Sequence, residues 1–398
     1  MKIGFISDLH LGFGRESEIF NDIFQISEKI ILELSESCDI VFIVGDLFDE
    51  KNPNNEIILK LIQIFKKVRK RDKKIRFKIN EESFEESAPI FFAIHGNHDR
   101  KFKDETSIYK IFEEIGIFHY ISLGKILIES DQKICIYAMS NVPERYAKNV
   151  LFEKLAPKIE KDYFNILVLH QNIYPYVYSI EDSSLKISDL PKNFNLIVNG
   201  HIHIRNVEKT GNTTLLILGS PVITKLHERE INERRGYNIV EIYDKENFNI
   251  IFQEIELPRK YYLIEIDSEK INLEDLEKNI SEKINKNKEK PVIKIKLLGK
   301  AEIDEKVIKN ILQKYEDKAI LRIENLIESE RTSEIIKNIE IIKERKSIDE
   351  IIISTILERL KQKKFSNSFD FQKLIELFED GDVDTLIDII TKTQKTLI

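Results

Sequence analysis

The sequence predicts an α/β fold, with a small second α/β domain and a helical tail. Three observations carry that prediction: apolar strand-like runs alternate with helical stretches up to residue 257, several runs end in clusters of polar residues, and the pattern changes after Pro258. Strand–helix alternation implies sheets covered by helices. The runs are KIGFIS (2–7), IVFIVG (40–45), IFFAIHG (90–96), KICIYAMS (133–140), NILVLH (165–170) and NLIVNG (195–200). Each is short, apolar and bounded by polar residues, which reads as a buried strand. Between the first two, residues 17–36 place Ile19, Ile23, Ile26, Ile30 and Leu34 on one helical face. Residues 55–70 do the same with Ile57, Leu61, Ile64 and Val68. The lysine-rich stretch from Lys66 to Lys74 and NEESFEES (80–87) read as a solvated surface insertion.

Past Pro258, YYLIEI, a helix at about 272–286, VIKIKLLG, a helix at about 303–315 and AILRIENL form a β-α-β-α-β set. The chain therefore divides into a domain at 1–257, a small domain at 258–327, a charged linker at 328–346 and a helical region at 347–398. Two amphipathic helices in that last region, DEIIISTILERLKQ and FQKLIELFEDGDVDTLIDII, must each bury an apolar face. The chain's own core and a partner protein are both candidates to cover them.

Composition narrows the function classes. With 42% hydrophobic and 33% charged residues among 398, the chain is globular rather than disordered. Two cysteines, Cys38 and Cys135, exclude a disulfide framework and a cysteine-rich zinc cluster. The start, MKIGFISDLHLG, runs straight into a strand without the long uncharged stretch of a signal peptide, and no segment reaches the length of a membrane span. The chain reads as cytoplasmic, with no membrane partner. A net charge of −7 argues against a uniformly basic surface, so any grip on nucleic acid would come from local patches or bound cations.

The polar strand ends are SDLH, GDLFD, HGNHD and GHIH, and NILVLH closes on a histidine. They supply Asp8, His10, Asp46, Asn97, His98, His170, His201 and His203, where α/β sheets gather their ligands. In extended backbone residues i and i+2 point the same way, so D-x-H and G-H-x-H are each expected to aim two ligands at one site. Imidazoles, carboxylates and an amide oxygen suit Mn, Fe or Zn better than an all-oxygen Mg or Ca site. The candidates outnumber the needs of one ion. Two ions sharing a carboxylate would grip a phosphodiester and ready a water for in-line attack. Gly96 is expected to permit a tight turn. His95 reads as a core residue, Asp99 as a turn cap or an orienter of His98, Arg100 as a solvated cation, and His119 and His227 as ordinary.

In that order, D-x-H, G-D, G-N-H-D, a lone histidine and G-H-x-H resemble the signature of calcineurin-like metallophosphoesterases. DLHLG (8–12), GDLFD (45–49), LHQNIYPY (169–176), GHIHIR (200–205) and GSP (219–221) are similar to stretches of SbcD-like nucleases of the meiotic recombination eleven family. The resemblance implies a metallophosphoesterase β-sandwich flanked by helices, a small α/β domain capping DNA, and an ATPase-binding helical region. It implies two divalent ions, foremost Mn²⁺. One would be held by Asp8, His10 and His203, the other by Asn97, His170 and His201, with Asp46 bridging. His98 is implied to contact the scissile phosphate or protonate the leaving oxygen.

The implied activity is single-strand endonuclease and 3′–5′ double-strand exonuclease, processing DNA ends in double-strand-break repair. The implied assembly is a homodimer through helices near 17–36 and 55–70, with the C-terminal helices on an SMC-like ABC ATPase. One position departs from some relatives, which carry a histidine three residues after the bridging aspartate. Asp49 stands there, and this bears on the balance of exonuclease and endonuclease action. Protein phosphatases of the superfamily read G-D-x-x-D-R-G at this place, whereas GDLFDEKN lacks the Arg-Gly. Two alternatives accompany the nuclease reading: a phosphodiesterase or phosphatase acting on a non-DNA substrate, and a non-catalytic scaffold of the repair complex. The complete ligand set counts against the scaffold.

Overall fold

The computed structural model describes residues 1–325 apart from 101–106, 131, 156–158, 177–184, 268, 270–272 and 300–304. The expected linker and tail helices lie outside the described residues. Among the described residues, no helix is long and apolar enough to cross a membrane.

The first half runs β1 (Lys2–Ile6), α1 (Ile19–Ser37), β2 (Ile40–Val44), α2 (Asn55–Phe65), β3 (Lys74–Ile79), β4 (Glu82–Ser87), β5 (Ile90–Ile94), α3 (Ile108–Glu114), β6 (His119–Tyr120), β7 (Leu123–Glu129), β8 (Lys133–Met139) and α4 (Glu144–Val150). It continues with β9 (Phe164–Leu169), β10 (Ile173–Tyr174), β11 (Leu185–Lys186), β12 (Leu196–Asn199), β13 (Asn206–Thr210), β14 (Thr213–Ile217), α5 (Glu228–Asn232), β15 (Gly236–Ile242) and β16 (Phe248–Glu254). Last come β17 (Tyr261–Asp267), α6 (Leu273–Asn285), β18 (Val292–Leu298), α7 (Glu305–Tyr315) and β19 (Ile320–Asn325).

Two sheets face each other, one of six strands in the order β16-β15-β1-β2-β5-β6 and one of eight in the order β13-β14-β12-β9-β8-β7-β3-β4. The central strands β1, β2 and β5 are parallel, as are β8, β9, β12 and β14. Strands β2 and β5 are buried at every residue, which is why their sequences are apolar without alternation. Their side chains still divide by face. Phe5, Phe42 and Phe92 turn inward onto Ile136, Ile166 and Val198 of the other sheet. Phe42 stacks with Phe5 and Phe92 at centroid distances of 6.2 and 6.0 Å. Val41, Ile43 and Phe91 turn outward under Ile23, Ile30 and Leu61 of α1 and α2. On the far side, Tyr137, Leu167 and Ile197 pack with Ala147 of α4. The result is a β-sandwich flanked by helices, because each sheet has an apolar face on both sides to cover.

The stretch after α2 differs from the expected solvated loop. β3 and β4 form an antiparallel hairpin that extends the eight-stranded sheet through β7. Ile75 and Phe77 alternate with charged residues, so one face of β3 is buried while the other carries lysines and an arginine. The density of charge hid that alternation. The β-α-β-α-β run after Pro258 is present, its strands ordered β17-β18-β19. The chain divides into two units. The larger takes in Met1–Ile264, Glu274–Ile295 and Leu312–Arg322, and every side chain of the candidate site belongs to it.

Candidate metal centre

The carboxyl ends of strands from both sheets meet at one edge. β1 delivers Asp8 and His10, β2 delivers Asp46, and β5 delivers Asn97 and His98; β9 and β12 of the other sheet deliver His170, His201 and His203. Asp8, His10 and His203 bring one ligand atom each within 4.8 Å of one another, and Asp46, His170 and His201 do the same. A third grouping, His10, Asp46 and His98, links the two. Asn97 Oδ1 lies 2.8 Å from His201 Nδ1. The cavity over these groups is about 450 Å³.

Left-handed backbone aims four of the candidate ligands. Among the described residues five non-glycine positions have positive φ, and four are Asp8 (55°), His10 (46°), Asp46 (46°) and His201 (71°). Each costs roughly 1–3 kcal/mol, and such strain concentrates at functional sites. The expectation that D-x-H and G-H-x-H converge through the pleat of a strand is therefore corrected: the strands stop first, and turns swing the side chains together. Gly96 is needed for a different reason from the expected turn. A Cβ there would lie 2.0 Å from Asp46 Oδ1, so only glycine lets the two loops close. Gly200 is the same case, with a Cβ 2.2 Å from Ser7 Oγ.

The donor set fits divalent cations. Asp8 Oδ1 and His170 Nε2 are buried without a hydrogen bond. Their nearest charged neighbours are other ligand atoms, His203 Nε2 at 3.6 Å and Asp46 Oδ2 at 3.3 Å. The Nε2 atoms of His10 and His203 face each other at 3.3 Å. Buried polar atoms turned on one another are costly unless something between them satisfies both. A divalent cation does so.

The rings are held from behind. His170 Nδ1 donates to Val44 O at 2.8 Å, and His203 Nδ1 donates to Glu230 Oε1 at 3.1 Å, which turns both Nε2 atoms inward. Burial works to raise the pKa of Asp46, but the charge of His170 and then that of His10 outweigh it and hold the carboxyl well below its usual range. Burial also disfavours a proton on His170, yet the Asp46 charge prevails and the imidazole is pushed up to about 9. His201 is pushed down to about 3 by burial and then by the charge of His170, which keeps it neutral.

His98 is exposed at the cavity wall. Its backbone N–H donates to Asp46 Oδ1 at 2.9 Å, and its Nδ1 donates to the Asp49 carbonyl at 2.9 Å, leaving Nε2 to the cavity. Asp49 turns its carboxylate onto His10, 3.2 Å from Nδ1. Asp99 takes the turn-capping role of the two expected for it. It accepts from Gly96 N at 2.6 Å, Leu47 N at 2.9 Å and Tyr109 Oη at 2.6 Å, and so locks the GNHD loop to the GDLFD loop. His95 is the core residue expected, bonded to Tyr120 Oη at 2.6 Å and pushed down to about 4 by burial. Arg100 is half-buried on Asn141 Oδ1 at 3.1 Å rather than solvated. His119 pairs with Glu86 at 2.7 Å and His227 caps α5, both outside the centre.

The calcineurin-like phosphoesterase family model matches residues 1–205, which contain this whole ligand set. The chain is 30% identical over 307 residues to the DNA double-strand break repair protein Mre11 of Sulfurisphaera tokodaii, covering 74% of this chain and 73% of that one. The chain belongs to the calcineurin-like phosphoesterases, in the Mre11 family. The Mre11 proteins of Sulfolobus acidocaldarius and Thermoplasma acidophilum are each 29% identical to it, over 77% and 74% of this chain and 78% and 76% of theirs. It is a metal-dependent phosphoesterase.

As an Mre11-family centre it contains two groups that sequence reasoning missed. Glu230 is fully buried against His203, 27 residues away, inside the charged run HEREINERR, where no local pattern singles it out. Asn172 Oδ1 lies 2.9 Å from His201 Nε2, and its side-chain amide donates to Glu144 at 3.2 Å. Its place in LHQNIYPY, two residues past His170, was the only signal. Glu230→Gln should weaken metal binding by about 10–100-fold, because an amide holds the imidazole less strongly than a carboxylate. Calorimetric titration of the metal-stripped chain with Mn²⁺ measures this, and an unchanged affinity refutes the role.

Proposed function

We propose that this chain is a Mn²⁺-dependent DNA nuclease of double-strand-break repair, hydrolysing phosphodiesters with two metal ions. The observation that carries the reading is the meeting of strand ends from both sheets in two ligand sets within one cavity. The names of the Mre11 relatives supply the substrate and the repair role. Asp8, His10 and His203 would hold one ion, Asn97, His170 and His201 the other, and Asp46 both. Such a pair polarises the diester and lowers the pKa of a water. The chain's own residues do the rest. His98 Nε2 faces the cavity as the group that meets the phosphate or gives a proton to the departing oxygen. The Asp49 carbonyl fixes its tautomer, and Asp99 holds its loop against that of Asp46.

The activities proposed are single-strand endonuclease and 3′–5′ double-strand exonuclease. The proposed assembly is a homodimer joined to an SMC-like ABC ATPase through the region beyond residue 346, with residues 258–327 as the domain that caps DNA. To test the chemistry, the full chain is stripped of metal, reloaded with Mn²⁺, and given a single-stranded oligonucleotide and bis(4-nitrophenyl) phosphate. Cleavage of both, lost on chelation, is expected. Turnover of the small ester with an intact oligonucleotide would reject the DNA reading in favour of a small-molecule phosphodiesterase.

A further inference from the structure

We propose that Lys225 binds a backbone phosphate beside the scissile one, which makes it a positioning residue for a polynucleotide strand. The proposal rests on the nuclease reading above. Lys225 lines the metal cavity with His98, His201 and Tyr176, and among the described residues lining that cavity it is the only lysine or arginine. The acids on the same wall are Asp46 and Asp49, and the chain as a whole carries −7. The two proposed cations would answer the charge of the scissile phosphate. A strand brings a further phosphate on each side of it, and the wall offers those one ammonium. Lysine, a compact point charge on a long stem, is suited to a single phosphate rather than to a forked contact.

The loop that carries Lys225 is anchored to the metal ligands. Ser220 Oγ donates to the Asp8 carbonyl at 2.9 Å, and Ser220 N donates to the His203 carbonyl at 3.1 Å. Arg235 donates to Ser220 O at 2.9 Å. Val222, Ile223 and Leu226 are buried on either side of Lys225, while Lys225 itself is exposed. Thr224 Oγ1, next in the chain, lies 3.4 Å from His203 Nδ1. The backbone beneath the ammonium therefore has a defined place relative to the ligands.

The test compares Lys225→Ala and Lys225→Arg with wild type, as full chains loaded with Mn²⁺, on a single-stranded oligonucleotide and on bis(4-nitrophenyl) phosphate. The small diester has no flanking phosphate. Lys225→Ala should raise KM for the oligonucleotide roughly three- to tenfold at moderate salt, and reduce the slope of log(kcat/KM) against log[salt] by about 0.7. Its loss on the small diester should be at least severalfold smaller, and arginine should restore most of the oligonucleotide KM. An unaltered KM and salt slope in an active Lys225→Ala enzyme would overturn the proposal, as would equal losses on both substrates. Wild type that turns over the small diester but not the oligonucleotide would overturn the nuclease reading and this one together.

Discussion

Asp46→Ala is expected to lower turnover of any phosphodiester by about 10³–10⁵-fold, the equivalent of several kcal/mol of lost transition-state stabilisation. Asp46 is the carboxylate common to two of the three ligand groupings, and it is almost wholly buried. One oxygen faces His170 Nε2 at 3.3 Å and the other accepts the His98 N–H at 2.9 Å. Removing it should lower bound metal from the proposed two ions per chain toward one or none, read by elemental analysis after dialysis against trace Mn²⁺. Full metal content with normal activity would show that the bridging role lies elsewhere.

His98→Ala should behave differently. A positioned proton donor is worth about 10²–10⁴-fold, and its loss should leave metal content intact. The discriminating measurement is the leaving group. A nitrophenolate departs without a proton, so His98→Ala should lose far less on bis(4-nitrophenyl) phosphate than on DNA. Equal losses on both substrates would make His98 a phosphate contact, and loss of metal would make it a ligand. That last outcome has a structural basis to be tested against, since a His98 nitrogen lies within 4.8 Å of ligand atoms of His10 and Asp46.

Asp49 shows how a departure in sequence becomes geometry. Its carboxylate is turned onto His10, while its carbonyl holds His98. The side chain is engaged with the centre itself.

The sequence by itself determined the fold class and singled out the candidate ligands that the structure gathers at one edge. Both are local signals: continuous apolar runs mark buried parallel strands, and polar clusters at their ends mark the edge where ligands gather. The tertiary structure decided the rest. His10 and His203 are 193 residues apart, and only the facing of two sheets sets their Nε2 atoms 3.3 Å from each other. Glu230 joins the site because α5 packs it behind His203, a contact with no periodicity to announce it. The hairpin β3–β4 was hidden by charge on its open face, and the left-handed φ of Asp8, His10, Asp46 and His201 could not be read from residue type. Long-range packing alone holds non-glycine residues in that conformation, because the local chain disfavours it.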